Sequence, residues 1–461
     1  MPIKRDIKDQ LLQILGPNGF SDAREDRLGY AYDATTRQYL PDAVAMPENA
    51  AQVSRLMQVA NEHRLPVTPR GAGSGLTGGS LPVCGGLTLA LNRMKRILQI
   101  DTDNLFAEVE PGVVTSALHA AVERKGLFYP PDPASMTFCT IGGNIAENAG
   151  GMRAVKYGVT RNYIMGLEVV LPTGQIIHTG SKCIKDVVGY DMTTLFVGSE
   201  GTLGVVTKAI LRLLPLPEAR QTLTAAFPTL RQAARAIPDI IRHRIVPATL
   251  EFLDHHCIRA VEHYLKAGLP ADAQAFLLID VDGAATEIPA AIEKIRNICN
   301  AHQAIEVRIA ENAEQQDRLW KIRRSISPAL GYLPLIGDHD DISVPRSRIP
   351  DFVETANAIA DRYGLYAVCF GHAGDGNIHL SFAEKKQGVT DADADNARIQ
   401  VLKAAVAMEG RIAAEHGIGL LKKEKLALNI DPASIEAMRA IKRIFDPNDI
   451  LNPGKIFPSS P

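Results

Sequence analysis

Apolar and polar positions alternate along this chain with two periods, one near 3.6 and one of 2, and the two take turns. The first half mixes both periods. Ile7, Leu11, Leu12, Ile14 and Leu15 recur at helical spacing, which predicts helix from about residue 7 to residue 32. Val53, Leu56, Met57 and Ala60 fall on one face of an amphipathic helix over 50–63. Short strands are expected at 41–47, 87–91, 107–110 and 167–171, with a helix over 113–125 between the last two. Pro215-Leu216-Pro217 marks a boundary, after which glycine thins. Strands are then predicted at 248–253, 275–281 and 305–309, and helices at 288–303, 311–325 and 349–363. A short extended piece is expected at 341–345. Residues 378–382 alternate like a half-buried strand, with His379 and Ser381 on one face and Ile378, Leu380 and Phe382 on the other. A helix over 399–414 would follow, ended by Gly417. Runs of this kind predict an α+β second half with antiparallel strands.

With 461 residues the chain is long enough for two or more domains. Lys plus Arg number 50 against 52 Asp plus Glu, with no basic stripe, so nucleic acid is not an expected partner. The six cysteines, at 84, 139, 183, 257, 299 and 369, form no Cys-x-x-Cys pair. That spacing argues against an iron–sulfur cluster or a thiolate zinc site in this chain and suits a reducing cytoplasm. The first residues lack the apolar centre of a signal peptide, and no apolar run is long enough to span a bilayer. A cytoplasmic protein is expected, with attachment to the inner face of a membrane left open.

The chemistry gathers in glycine-rich stretches. Gly371 to His379 places two histidines and Asn377 among three glycines. His372 and His379 could converge on a metal; a tight turn feeding a core strand, with both histidines hydrogen-bonded, is the plainer alternative. Glu415 would add an oxygen ligand. Two His and one carboxylate leave a coordination position open, as catalytic sites require. A second stretch, 70–80, contains Gly73, Gly75 and Gly78 in a G-x-G-x-x-G pattern. A dinucleotide fingerprint of that kind must open a helix, whereas here Pro82, Gly85 and Gly86 lead into a strand. Backbone N–H groups of such a loop can still wrap a pyrophosphate, with Arg70 adding charge. A third cluster, 140–151, suits close approach of backbone to a ligand.

Taken in order, 69–75, 142–144, 198–204, 371–379, 415–417 and 452–455 resemble the motifs of the FAD-linked D-2-hydroxy-acid dehydrogenases, over nearly the whole chain after residue 35. These belong to the vanillyl-alcohol oxidase flavoproteins and include D-lactate dehydrogenases and the glycolate oxidase catalytic subunit. The resemblance implies an α+β protein. It would have an amino-terminal helical segment (1–37), a two-subdomain FAD-binding domain of the p-cresol methylhydroxylase type (38–217), and a cap domain with an antiparallel sheet (218–430). A tail (431–461) would return to the FAD domain. It implies that Pro69, Arg70, Gly71, Ala72, Gly73, Ser74, Gly75, Gly78 and Gly79 surround the FAD pyrophosphate. Pro131, Asp132, Thr140, Gly142, Gly143, Asn144, Gly150, Gly151, Tyr157, Gly158, Glu200, Gly201, Val205 and Asn452 would line the rest. No histidine stands in the first glycine loop, so noncovalent FAD is expected.

The resemblance further implies that His372, His379 and Glu415 hold a divalent metal, zinc or manganese. His416 would act as general base, Arg323 would clamp the substrate carboxylate and Asn377 would touch the substrate. His339 stands where hydroxyglutarate-specific relatives carry a lysine, which favours a small monocarboxylate, D-lactate before glycolate. The implied partners are this hydroxy acid and an electron acceptor: an electron-transfer flavoprotein, an iron–sulfur subunit or a quinone. A homodimer stays open. The alternatives are a D-2-hydroxyglutarate dehydrogenase, a flavin-binding partner subunit without catalysis of its own, and an FAD fold used for non-redox chemistry.

Overall fold

A computed structural model describes residues 3–458. Residues 1–2 and 459–461, the outer ends of the expected first and last segments, lie outside the described residues. The chain divides into two compact units, one of residues 1–150, 159–216 and 415–461, the other of 151–158 and 217–414.

The first unit holds two main sheets. A four-stranded sheet has the order β1 (Phe20–Ser21), β2 (Ala43–Ala45), β4 (Leu87–Ala90), β3 (Val67–Arg70), with β4 parallel to both β2 and β3. The glycine loop 71–86 crosses from β3 to its parallel neighbour without forming a helix, as Pro82 and the paired glycines predict. Five antiparallel strands form the second sheet, in the order β5 (Ile97–Asp101), β6 (Phe106–Val109), β10 (Val205–Arg212), β8 (Ile164–Val170), β9 (Ile176–Gly180). A two-stranded ribbon joins β7 (Leu127–Phe128) to β11 (Leu214–Pro215). The helix Ala50–His63 forms as its apolar spacing predicts, capped by Asn49, and buries Val53, Leu56, Met57 and Ala60 against Ile7, Leu11 and Ile14. The expected helix over 7–32 is shorter. It spans Arg5–Leu15 and stops at Gly16, whose φ of 70° is left-handed; Pro17, Asn18 and Gly19 then turn the chain into β1.

The second unit is built on seven antiparallel strands. Their order is β15 (Glu306–Ile309), β12 (Ala219–Phe227), β14 (Ala275–Gly283), β13 (Thr249–Asp254), β17 (Leu365–His372), β18 (Asn377–Glu384), β16 (Leu335–Ser343). Its core packs Cys257, Val261, Trp320, Ile326 and Leu330 onto Leu253, Leu278 and Val368. Two expectations are corrected here. Strand β18 is buried on both faces rather than half-buried, because its polar face is itself enclosed. The helix expected over 399–414 spans Asp391–Ala407. Thr390 and Asp393 form a capping box that starts it earlier, and left-handed Glu409 (φ 65°) with Gly410 keeps it from continuing. Residue 411 instead bridges Ser343 as extended chain.

Candidate active site

Strand register in the second unit decides which side chains meet. Glu251 on β13 lies opposite His372 on β17. Phe370 on β17 lies opposite His379 on β18, and His379 in turn opposes Asp341 on β16. Because side chains alternate, these residues and Asn377 share one face of the sheet. His372 and His379 sit edge to face, with ring centroids 5.2 Å apart. Arg323, from the helix Ala313–Arg324, reaches this face and bonds Glu251 through Nε, its guanidinium 5.2 Å from the Phe370 ring centroid.

Glu251 is the hub of this array. It is fully buried; burial alone would raise its pKa, but His372 and Arg323 outweigh burial and hold it below the usual carboxylate range. An ionised Glu251 accepts a hydrogen bond from His372 Nδ1–H at 2.7 Å, which turns His372 Nε2 away from Glu251. It also pins Arg323 by Nε, leaving the outer nitrogens of the guanidinium for another anion. Asp341 receives Asn377 Nδ2 at 2.7 Å and the Ala414 amide at 2.8 Å, and its Oδ1 lies 3.5 Å from His379 Nδ1. Asn377 Oδ1 is enclosed with no hydrogen-bond partner among the described residues. An enclosed carbonyl oxygen beside imidazoles and a carboxylate lacks a donor or a cation, so the donor set fits a divalent metal or a substrate hydroxyl.

In the first unit the glycine loop is shaped to present its backbone. A Cβ on Gly71 would collide with Thr140 Oγ1, so that backbone packs directly on the second glycine cluster. At Gly75 and Gly143 the space a Cβ would take meets only Glu147 Oε1 at 3.8 Å and Thr140 Oγ1 at 3.5 Å, leaving a cradle open to a ligand. Arg70 is buried under the loop, and burial lowers its pKa. The tail closes this region. Asn452 Nδ2 donates to Gly79 O (2.9 Å) and Glu200 O (2.8 Å), and Glu200 accepts the amides of Ile418 (2.8 Å) and Gly419 (2.7 Å). Glycine backbone with open space where side chains would stand fits the close approach of a dinucleotide.

Residues 41–180 match a family model described as an FAD binding domain, and residues 216–456 match one described as the C-terminal domain of FAD linked oxidases. The chain belongs to the FAD-linked oxidase family. It is 47% identical, over 99% of its length and 97% of the relative's, to glycolate oxidase subunit GlcD of Bacillus subtilis. It is 37% identical to D-lactate dehydrogenase of Archaeoglobus fulgidus, over 97% of the chain and 98% of that protein. Among solved structures, p-cresol methylhydroxylase with substrate bound superposes with a TM-score of 0.80 at 16% identity, covering 99% of this chain and 98% of that one. That likeness shows the fold, α+β of the p-cresol methylhydroxylase type. The two family models, both of FAD proteins, give FAD as the cofactor.

Of the residues singled out in the sequence, His372, His379, Asn377 and Arg323 come together on one face in the second unit. Pro69 to Gly79, Thr140 to Asn144, Glu200, Gly201 and Asn452 gather in the first. Asp132 is buried after Pro131, whose carbonyl meets His119 Nε2 at 2.9 Å, and Val205 opens β10. Gly151, Tyr157 and Gly158 belong to the second unit, where Tyr157 donates to Asp282 at 2.8 Å. Glu415 packs against Gly150, and Thr77 Oγ1 donates to the His416 carbonyl at 2.9 Å, both within the first unit. Gly417, read as a helix end, has a φ of 80° and leaves no room for a Cβ between Glu147 and Glu200. Sequence reading missed Glu251 and Asp341. Glu251 carried a signal, a lone charge in the apolar run 248–253; Asp341 had none, because its role depends on register with His379.

Proposed function

We propose that this protein oxidises a small D-2-hydroxy acid, D-lactate before glycolate, to the 2-oxo acid. The observation that carries this reading is the chain Arg323–Glu251–His372 beside His379, Asp341 and Asn377, a cationic fork and imidazoles on one buried face. Arg323, pinned through Nε, offers its outer nitrogens to the substrate carboxylate. His372 and His379 would contribute ligands to a divalent metal, and Asp341 supports them through its place opposite His379. When bound, the metal would supply a Lewis acid for the C2 hydroxyl and FAD would supply the hydride acceptor. His416 receives the hydroxyl proton. Asn377 Oδ1 orients the hydroxyl, and Glu251 keeps His372 in the Nδ1–H tautomer. His339, bonded to Ser381 Oγ at 2.6 Å, stands where the resemblance places a lysine in hydroxyglutarate-specific relatives, which favours monocarboxylates over hydroxyglutarate.

Three relatives carry the word subunit in their names, and electrons are proposed to leave through an acceptor protein or a quinone. No described helix is long and apolar enough to cross a membrane; a cytoplasmic place, with or without contact with a membrane surface, is part of the same proposal.

The test is an anaerobic visible spectrum of the FAD- and metal-replete protein before and after D-lactate. Bleaching by D-lactate and not by L-lactate is the expected result. Flavin that stays oxidised with every small D-2-hydroxy acid would favour the non-catalytic subunit instead.

A further inference from the structure

Glu147 ends the short helix Ile141–Glu147 in the first unit, and left-handed Asn148 turns the chain away after it. The surroundings of its carboxyl are unusual. Oε2 is enclosed and has no hydrogen-bond partner among the described residues. Oε1 lies 2.9 Å from where a Cβ on Gly79 would stand and 3.8 Å from where one on Gly75 would stand, while Oε2 fills the same place at Gly417. Three glycines from two separate segments thus clear the space around one carboxyl.

The charged groups facing it are Glu200, Asp33 and Lys455. Glu200 is supplied with two backbone donors, the amides of Ile418 and Gly419. The Lys455 ammonium is turned to Leu81 O at 2.5 Å and Asn452 Oδ1 at 3.2 Å. The donors in this pocket therefore serve Glu200 and the carbonyls, and Oε2 of Glu147 receives none. A carboxylate in that position is costly, whereas a carboxylic acid needs only an acceptor. Burial, and then repulsion by Glu200 and Asp33, push Glu147 well above the usual carboxylate range, against a smaller pull from Lys455.

We infer that Glu147 enters the FAD complex as a neutral acid and donates its proton in a hydrogen bond to an acceptor of FAD at the glycine loop 71–79. The inference rests on FAD binding by the first unit and not on which hydroxy acid is oxidised. It follows that FAD binds the protonated form. Where Glu147 is ionised in the free protein, binding must take up a proton, because an anionic carboxylate beside the anionic pyrophosphate is disfavoured twice.

The test uses the full apo-protein. The FAD dissociation constant is measured by flavin fluorescence from about pH 6 to about pH 9, for wild type and Glu147→Gln, with proton uptake read by calorimetry in buffers of different ionisation enthalpy. In wild type the constant is expected to climb by about tenfold per pH unit once free Glu147 ionises. Glu147→Gln keeps a donor with no titration, so it should lack that climb and take up one proton fewer. Any loss due to Lys455, whose pKa is lowered by burial to about 8, stays in both. Equal slopes and equal proton uptake in the two proteins would overturn the inference. Should Glu147→Gln hold FAD poorly, Glu147→Ala decides. Weaker binding than wild type at low pH that converges with it at high pH supports the proton role. Binding weaker by the same factor throughout would overturn it, leaving only a structural contact. A wild-type chain that bound no FAD at any pH would overturn the cofactor reading together with it.

Discussion

Arg323 shows how much one residue's role depends on what holds it. On a sequence it is a cation in a polar helix, and nothing local separates it from Arg324 beside it. In the fold Arg324 pairs with exposed Asp317, while Arg323 is buried and bonded to Glu251. An exposed pair contributes little to stability; a buried, oriented guanidinium can read a carboxylate. Arg323→Lys should therefore raise KM for D-lactate at least about tenfold, since a lysine cannot bond Glu251 and also present a fork. FAD content should stay unchanged, which an absorbance spectrum of the purified variant checks. His379→Ala should abolish turnover while FAD remains bound, and removing metal with a chelator should do the same to wild type, reversibly on adding zinc or manganese. An active metal-free enzyme would sink the metal proposal. The histidines and Arg323 were legible because the resemblance named them. Glu251 and Asp341 were not, since what brings them to this face is their pairing across strands distant in sequence.

At the scale of elements, Asp254 ties a helix to the sheet that carries the site. It caps the helix His255–Leu265 through the Cys257 amide at 2.9 Å and accepts the Cys369 amide of β17 at 2.6 Å. Burial raises its pKa to about 6, despite both bonds. The fold thus keeps a proton that the unfolded chain releases near its ordinary value of about 3.9. For an acid raised in this way, the native state binds more protons across that window, so stability is greatest below it, falls as pH rises through about 6, and is level above. Asp254→Asn should remove this fall. At neutral pH it should also weaken the unit by about 1–3 kcal/mol, because one amide donor would then face an NH₂ group. Thermal melts of both proteins between about pH 4 and pH 8 would show it; parallel curves would refute the pH assignment. Ala275–Gly283 and Ile349–Arg362 were legible from period, whereas His255–Leu265, Ala219–Phe227 and Leu365–His372 were not among the expected elements. What period misjudged were ends: Gly16 stops one helix, and the Thr390–Asp393 box starts another upstream of its apolar stripe. Caps and left-handed residues, not hydrophobic spacing, decide such boundaries.

For the molecule as a whole, the sequence order hides that residues 415–461 return to the first unit. Composition shows only turn residues mixed with apolar anchors; the resemblance supplied the return, and the structure supplies its physics. Leu451 bridges Val67 of β3 in parallel, the Val67 amide donates to Ile450 O at 2.7 Å, and the Asn452 amide donates to Val67 O at 2.7 Å. The tail is thus one more extended segment on the edge of the sheet that launches the glycine loop. Ile450 and Leu451 are buried in the same core as Leu56 and Met57. Lys442 braces the arrangement from the preceding helix, donating to Asp446 at 2.5 Å, Thr202 O at 2.9 Å and Leu451 O at 2.8 Å. Leu451→Ala should then cost about 2–5 kcal/mol, the range for a fully buried leucine. Asn452→Ala removes no apolar contact of that size but leaves Gly79 O and Glu200 O without its two donated bonds, so its main effect should fall on FAD retention rather than on melting. The two variants separate the roles. If Leu451→Ala lowers the melting temperature of the apo-protein and Asn452→Ala chiefly raises the FAD dissociation constant, the tail both completes the core and shapes the cradle. If Asn452→Ala leaves FAD affinity at the wild-type value, the tail contributes packing alone, and the loop 71–79 holds its shape without it.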